Sequence, residues 1–157
     1  MSAERIAPSE VLRATRVVAV LRAQQASEYA PVVEALVAGG VLSVELTLST
    51  RGVFDQLPRL RRQFGDAAEL GVGTVTTAAE AQAALDAGAS YLVTPVTEVS
   101  VIEIAQRRGV PVFPGGFTPT ELHRGWAAGA TAVKASRRRS WARVTSPICA
   151  DLSRTFR

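Results

Sequence analysis

Lysine is almost absent from this chain. Of its 18 Lys+Arg residues, Lys134 is the only lysine. Cysteine is as scarce: Cys149 stands alone, which excludes an intrachain disulfide and points to a cytoplasmic setting. No apolar run reaches the roughly 18 residues that a membrane helix needs. The N-terminal MSAERIAPSE lacks the basic and apolar regions of a signal peptide. No G-x-G-x-x-G opens a helix, which argues against a dinucleotide site. Neither metal-ligand spacing nor a nucleophile elbow occurs, so no metal and no cofactor is expected.

What is present describes one globular domain. The chain has 157 residues, 47% hydrophobic and 20% charged, enough for a single good core. Its net charge of +4 is unevenly spread. Residues 1–134 hold 12 Lys+Arg and 13 Asp+Glu, whereas residues 135–157 hold six Arg and one Asp. All the basic excess therefore lies in the last 23 residues, and the overall pI says nothing about partners of the body. The Arg137–Arg143 cluster lacks interleaved aromatics except Trp141, so nucleic acid or a membrane surface ranks last among partners.

The body alternates short β-rich runs with helical stretches. Strands are expected over 17–21, 41–48, 69–75, 91–95 and 110–116, with a sixth beginning at 131–135. Helices are expected over 27–40, 50–65, 77–88, 98–109 and 118–129. Thr77 and Thr118 stand as N-caps, Pro119 in a first turn, and Gly39–Gly40 and Gly88 as C-terminal stops. Pro58 predicts a kink or a late start in the second helix. The joints LVAGGVLSVEL, LDAGASYLV and WAAGATAVK repeat one pattern, as βα units do. Short strands apolar on both faces imply a parallel sheet, either doubly wound or a (β/α) barrel.

Polar residues gather where these strands end: Arg22, Glu45, Thr74, Pro95, Gly115–Gly116 and Lys134. A lysine in a buried strand would have its charged form disfavoured. Its neutral amine attacks carbonyls and forms a Schiff base. Glu45 could carry protons at the adjacent carbon. The bland alternatives are an ion-paired or snorkelling lysine and a structural carboxylate. In a chain that uses arginine everywhere else, a retained lysine favours chemistry. The GVGTV run around Thr74 offers backbone N–H groups and a hydroxyl, or merely small packing residues. Pro114-Gly115-Gly116 forms either a carboxylate-binding nest or a simple turn. Arg22 could grip a carboxylate or phosphate bidentately, or lie in solvent. His123, on the fifth helix, reads as a surface residue.

The segments LVAGGVLSVELTLST, GVGTVTTAAEAQAALDAGASYLVTP and VPVFPGGFTPTELHRGWAAGATAVK resemble the 2-keto-3-deoxy-6-phosphogluconate (KDPG) aldolase family, which includes 4-hydroxy-2-oxoglutarate (KHG) aldolases. The resemblance runs from about residue 11 to 134. It implies an α/β fold of the (β/α)8 TIM-barrel type, with about six strands present and the last two units missing. It implies a class I lyase, a homotrimer, with pyruvate and 2-keto-3-deoxy sugar acid phosphates as its small-molecule partners. Lys134 is implied as the Schiff-base lysine and Glu45 as the general acid/base. Thr74, Pro95, Gly115 and Gly116 are implied to line the pyruvate pocket. Many members carry T-x-R-T in the second strand. Here LTLST puts Ser49 in the arginine's place, and Arg22 after the first strand supplies an arginine instead, as in the galactonate-type branch.

After the lysine the family continues with a segment like L-F-P-A-S-x-x-G-P-x-Y-L. This chain reads KASRRRSWARVTSPICADLSRTFR. Taking the third base of each codon with the first two of the next permits F-P-A-S-V-V-G-P-G-Y-L. The expectation is therefore a partial barrel over 1–134 and a frameshifted, poorly ordered basic tail over 135–157. A chain built so would have low stability and little or no activity.

Overall fold

The computed structural model describes residues 5–135. Six α-helices, two short 3-10 turns and seven strands lie along them. The first helix, α1 (Glu10–Thr15), has no counterpart in the sequence expectations. Ser9 caps it by accepting the Leu12 N–H at 3.1 Å, and Arg16 ends it in the left-handed region. Six residues are too few for an apolar period to show, which is why the pattern missed it.

The expected strands all appear, each shortened: β1 (Ala19–Leu21), β2 (Ser43–Thr47), β3 (Glu69–Gly73) and β4 (Leu92–Val93). The run 110–116 is a correction, because it forms two strands, β5 (Val112–Phe113) and β6 (Gly115–Gly116). Pro114 separates them; it has no N–H to give a ladder. The last strand is β7 (Lys134–Ala135). Between them lie α2 (Tyr29–Ala38), α3 (Val53–Phe64), α4 (Ala78–Asp86), α5 (Val99–Arg107) and α6 (Pro119–Ala127). Helix α3 starts well before Pro58 and continues through it, so the late start is corrected.

Local chemistry explains the helix ends. Thr77 and Thr118 each form a reciprocal capping box, with Glu80 and Glu121 respectively. The backbone N–H groups that these carboxylates accept hold both acids below the usual carboxylate range. Gly40 and Gly88 take positive φ just past their helices, where a side chain would be strained.

The strands β1 to β5 pair in chain order, every pair parallel. A doubly wound sheet reverses its strand order at a switch point; this one does not, and it progresses as a barrel does. Strands β6 and β7 form a second parallel pair, Gly115 opposite Lys134. Alternation then divides the sheet. Val44, Leu46, Leu70, Val72, Leu92 and Val112 face the helices and are buried there with Val33, Leu57, Leu60 and Ile102. The other face carries Glu45 together with Val20, Val93 and Phe113. The basic tail expected over 135–157 lies, from Ser136 onward, outside the described residues.

Candidate active site

One cavity of about 390 Å³ lies on that inner face. It is walled by Val18, Val20, Arg22, Glu45, Tyr91, Val93, Phe113, Val133 and Lys134, with Leu12 of α1 and Ala132 at its margin. Most of the wall is apolar, and three charged side chains break it. This composition is that of a small-molecule site, where a few polar groups fix orientation.

Glu45 is positioned by the strand period. It stands mid-β2, with Val20 of β1 and Gly71 of β3 as its register partners. Its side chain lies across Gly73, where a Cβ would collide with the carboxylate. Gly71 does the same for the Tyr91 ring. The inner face of β3 is thus left bare by two glycines so that neighbouring strands can lay side chains over it. Glu45 is only 7% exposed. Burial raises its pKa above the usual carboxylate value, and the nearby charges of Lys134 and Arg22 oppose that rise.

Lys134 reaches the same cavity from β7, where its N–H donates to the Pro114 carbonyl at 2.7 Å. Its burial is a correction: both residues of β7 are exposed. Among the described residues β7 pairs only with β6. Arg22 follows β1 directly and is exposed on the cavity rim. Val20, 45% exposed, is open to solvent through the same cavity, so β1 is not buried on both faces as its composition predicts.

The other expected site residues stand apart from this wall. Thr74 is half-buried just past β3, with φ at 63°, an unusual conformation for a β-branched residue. Pro95 is exposed after β4. Gly115 and Gly116 are buried in β6 beside Lys134, and a Cβ on Gly115 would collide with the Pro95 carbonyl. His123 is exposed on α6. Sequence reasoning passed over Tyr91 and Phe113. The period-2 signal that places Val93 inward also places Tyr91 there, two residues earlier.

No group of acidic, histidine or cysteine side chains able to hold a metal occurs among the described residues. No described helix is long and apolar enough to cross a membrane.

A parallel βα progression in chain order, with an amine, a carboxylate and a guanidinium on one inner cavity, places the chain in the (β/α)-barrel class. Residues 9–137 match the aldolase family of KDPG and KHG aldolases, and the chain belongs to that family. The 2-dehydro-3-deoxy-phosphogluconate aldolase of Treponema pallidum is 33% identical over 125 residues, covering 80% of this chain and 59% of that protein. A probable 2-dehydro-3-deoxy-6-phosphogalactonate aldolase of Rhizobium meliloti is 33% identical over 117 residues, covering 74% and 55%. The chain thus spans less than two thirds of the curated relatives it matches. Among solved structures, KDPG aldolase from Legionella pneumophila, with pyruvate captured as a covalent carbinolamine intermediate, superposes with a TM-score of 0.81. It is 27% identical, and the match covers 93% of this chain and 69% of that one.

Proposed function

We propose that this chain carries the site of a class I aldolase. The reaction is cleavage of 2-keto-3-deoxy-6-phosphogluconate to pyruvate and glyceraldehyde 3-phosphate, or of 4-hydroxy-2-oxoglutarate to pyruvate and glyoxylate. The observation that carries this reading is the convergence of Lys134, Glu45 and Arg22 on one apolar cavity. The covalent pyruvate adduct in the Legionella relative supports amine chemistry in this family.

The amine of Lys134 adds to the C2 carbonyl, and loss of water gives an iminium. Glu45 takes the proton of the C4 hydroxyl. The C3–C4 bond breaks, its electron pair moves toward the iminium, and the aldehyde leaves. Glu45 then returns a proton to C3 of the resulting enamine, and water releases pyruvate and the free amine. An acid held above the usual carboxylate range suits both halves of that exchange near neutrality. Arg22 holds the substrate carboxylate at the rim. Thr74, Pro95 and the Gly115–Gly116 strand are assigned to the pyruvate pocket by the family resemblance; they are not part of the wall that Lys134, Glu45 and Arg22 share. The whole protein acts without metal or cofactor, in the cytoplasm, as a homotrimer.

Borohydride reduction in the presence of pyruvate tests this directly. A stable adduct is expected on Lys134, and none in Lys134→Ala; an adduct elsewhere, or none, sinks the reading. The frameshift proposed for residues after Lys134 is tested at the DNA level. A one-base insertion or deletion near the Lys134 codon, relative to close relatives, is expected. An intact frame there would refute it.

A further inference from the structure

The backbone around Arg22 is held by side chains rather than by the sheet. The β1 ladder ends at Leu21, so the peptide groups on either side of Arg22 need other partners. Three hydroxyls supply them. The Leu21 carbonyl accepts from Thr47 Oγ1 at 3.0 Å and lies 3.3 Å from the Tyr29 hydroxyl. The Ala23 N–H donates to Thr50 Oγ1 at 3.1 Å. Tyr29 joins the two halves, donating to Thr50 Oγ1 at 2.6 Å. All three residues are buried, Tyr29 to 1% and Thr47 to 0% exposure. Ser49 bonds Thr47 at 2.9 Å and extends the cluster.

Further along the same loop, the Ala26 N–H donates to the Arg51 carbonyl at 2.9 Å, and Gln25 bridges Arg51 in parallel. Residues 21–26 are therefore tied at successive points to the end of β2 and the turn into α3. Arg22 is the exposed residue between the two pinned peptides, and its side chain lines the cavity with Glu45. A long side chain on a mobile stalk loses entropy when it grips an anion; one on a fixed stalk loses less.

The geometry points to Tyr29, Thr47 and Thr50 as positioning residues that set the Arg22 guanidinium over the cavity and so govern its affinity for the substrate carboxylate. What Arg22 holds rests on the aldolase reading; how it is held does not.

The test uses pyruvate as probe and a double-mutant cycle as readout. In the Lys134→Ala chain, which binds without Schiff-base chemistry, NMR titration gives the pyruvate Kd. Thr50→Val and Tyr29→Phe are each expected to weaken binding roughly three- to tenfold. Thr50→Ser, which keeps the hydroxyl, restores it. With Arg22→Ala also present, Thr50→Val and Tyr29→Phe have no further effect. In the parent chain the same two variants raise the half-saturating pyruvate for borohydride trapping and leave the maximal trapping rate within about twofold. Unchanged affinity in both variants overturns the inference. So does equal weakening with and without Arg22, which a merely structural cluster would give, and so does the absence of any Arg22-dependent pyruvate affinity. If trapping at Lys134 fails while the cycle still shows coupling to Arg22, the aldolase reading falls and the positioning role stands.

Discussion

Glu45 is the residue on which most of the site's electrostatics turns. Its folded pKa lies above the unfolded one because burial outweighs the attraction of Lys134 and Arg22. The unfolded carboxyl therefore gives up its proton first as pH rises. The stability that the protonated form contributes is complete below the unfolded value and is lost as pH climbs through the folded one. Glu45→Gln removes that loss. Its melting temperature is expected to exceed the parent's at neutral pH, with the gap closing on acidification below the ordinary carboxylate range. Aldolase turnover in the same variant is expected to fall on the order of 10²- to 10⁴-fold. Thermal melts across pH, together with steady-state rates, check both outcomes. Glu45 and Lys134 each stood out in the sequence, because both chemistry-bearing residues interrupt strand-like runs; that they line one cavity is a tertiary fact. The bareness of Gly73, which lets the carboxylate lie where it does, was not legible. A glycine in a strand has several uses, and only the neighbouring strand says which one applies.

At the scale of elements, capping and period account for nearly every boundary. Thr77→Ala deletes one half of the capping box that opens α4 and is expected to cost about 1 kcal/mol, read by urea unfolding. The other half is pH-dependent. Glu80 is held low by the N–H groups of Thr76 and Thr77, so its contribution is present above the unfolded carboxylate range and fades as pH falls through its depressed value. The destabilisation by Glu80→Ala should accordingly shrink in strong acid. Strand ends were less legible than helix ends. The run 110–116 looks continuous in composition, yet Pro114 divides it between two sheets. Tyr29, Thr47 and Thr50 gave no sequence signal, since they come from three places in the chain and meet only through folding.

Across the whole molecule, a contact between distant ends joins α6 to the N-terminal segment. The Arg5 guanidinium donates to the Ala130 carbonyl and, at 3.1 Å, to that of Trp126, and it stacks 3.5 Å from the Trp126 ring centroid. Arg5→Ala is expected to cost about 1–2 kcal/mol, with a shift in Trp126 fluorescence as its ring loses the cation. An unchanged melt and spectrum would show that this contact contributes nothing to the joint. The chain-order parallel sheet also resolves what composition left open between a doubly wound fold and a barrel. Strand composition is the same in both; only the order of pairing differs.

The sequence alone determined the alternation of strands and helices, their caps, and the presence of a lone lysine with a carboxylate at strand positions. Those features are local, written in period, hydrogen-bonding side chains and residue chemistry within a few positions of each other. Tertiary structure alone decided that Lys134 is exposed rather than buried, that Arg22 joins Glu45 on one cavity, and that three buried hydroxyls hold the backbone beneath that arginine. Each of these depends on which strand lies beside which, and long-range pairing leaves no period in the chain.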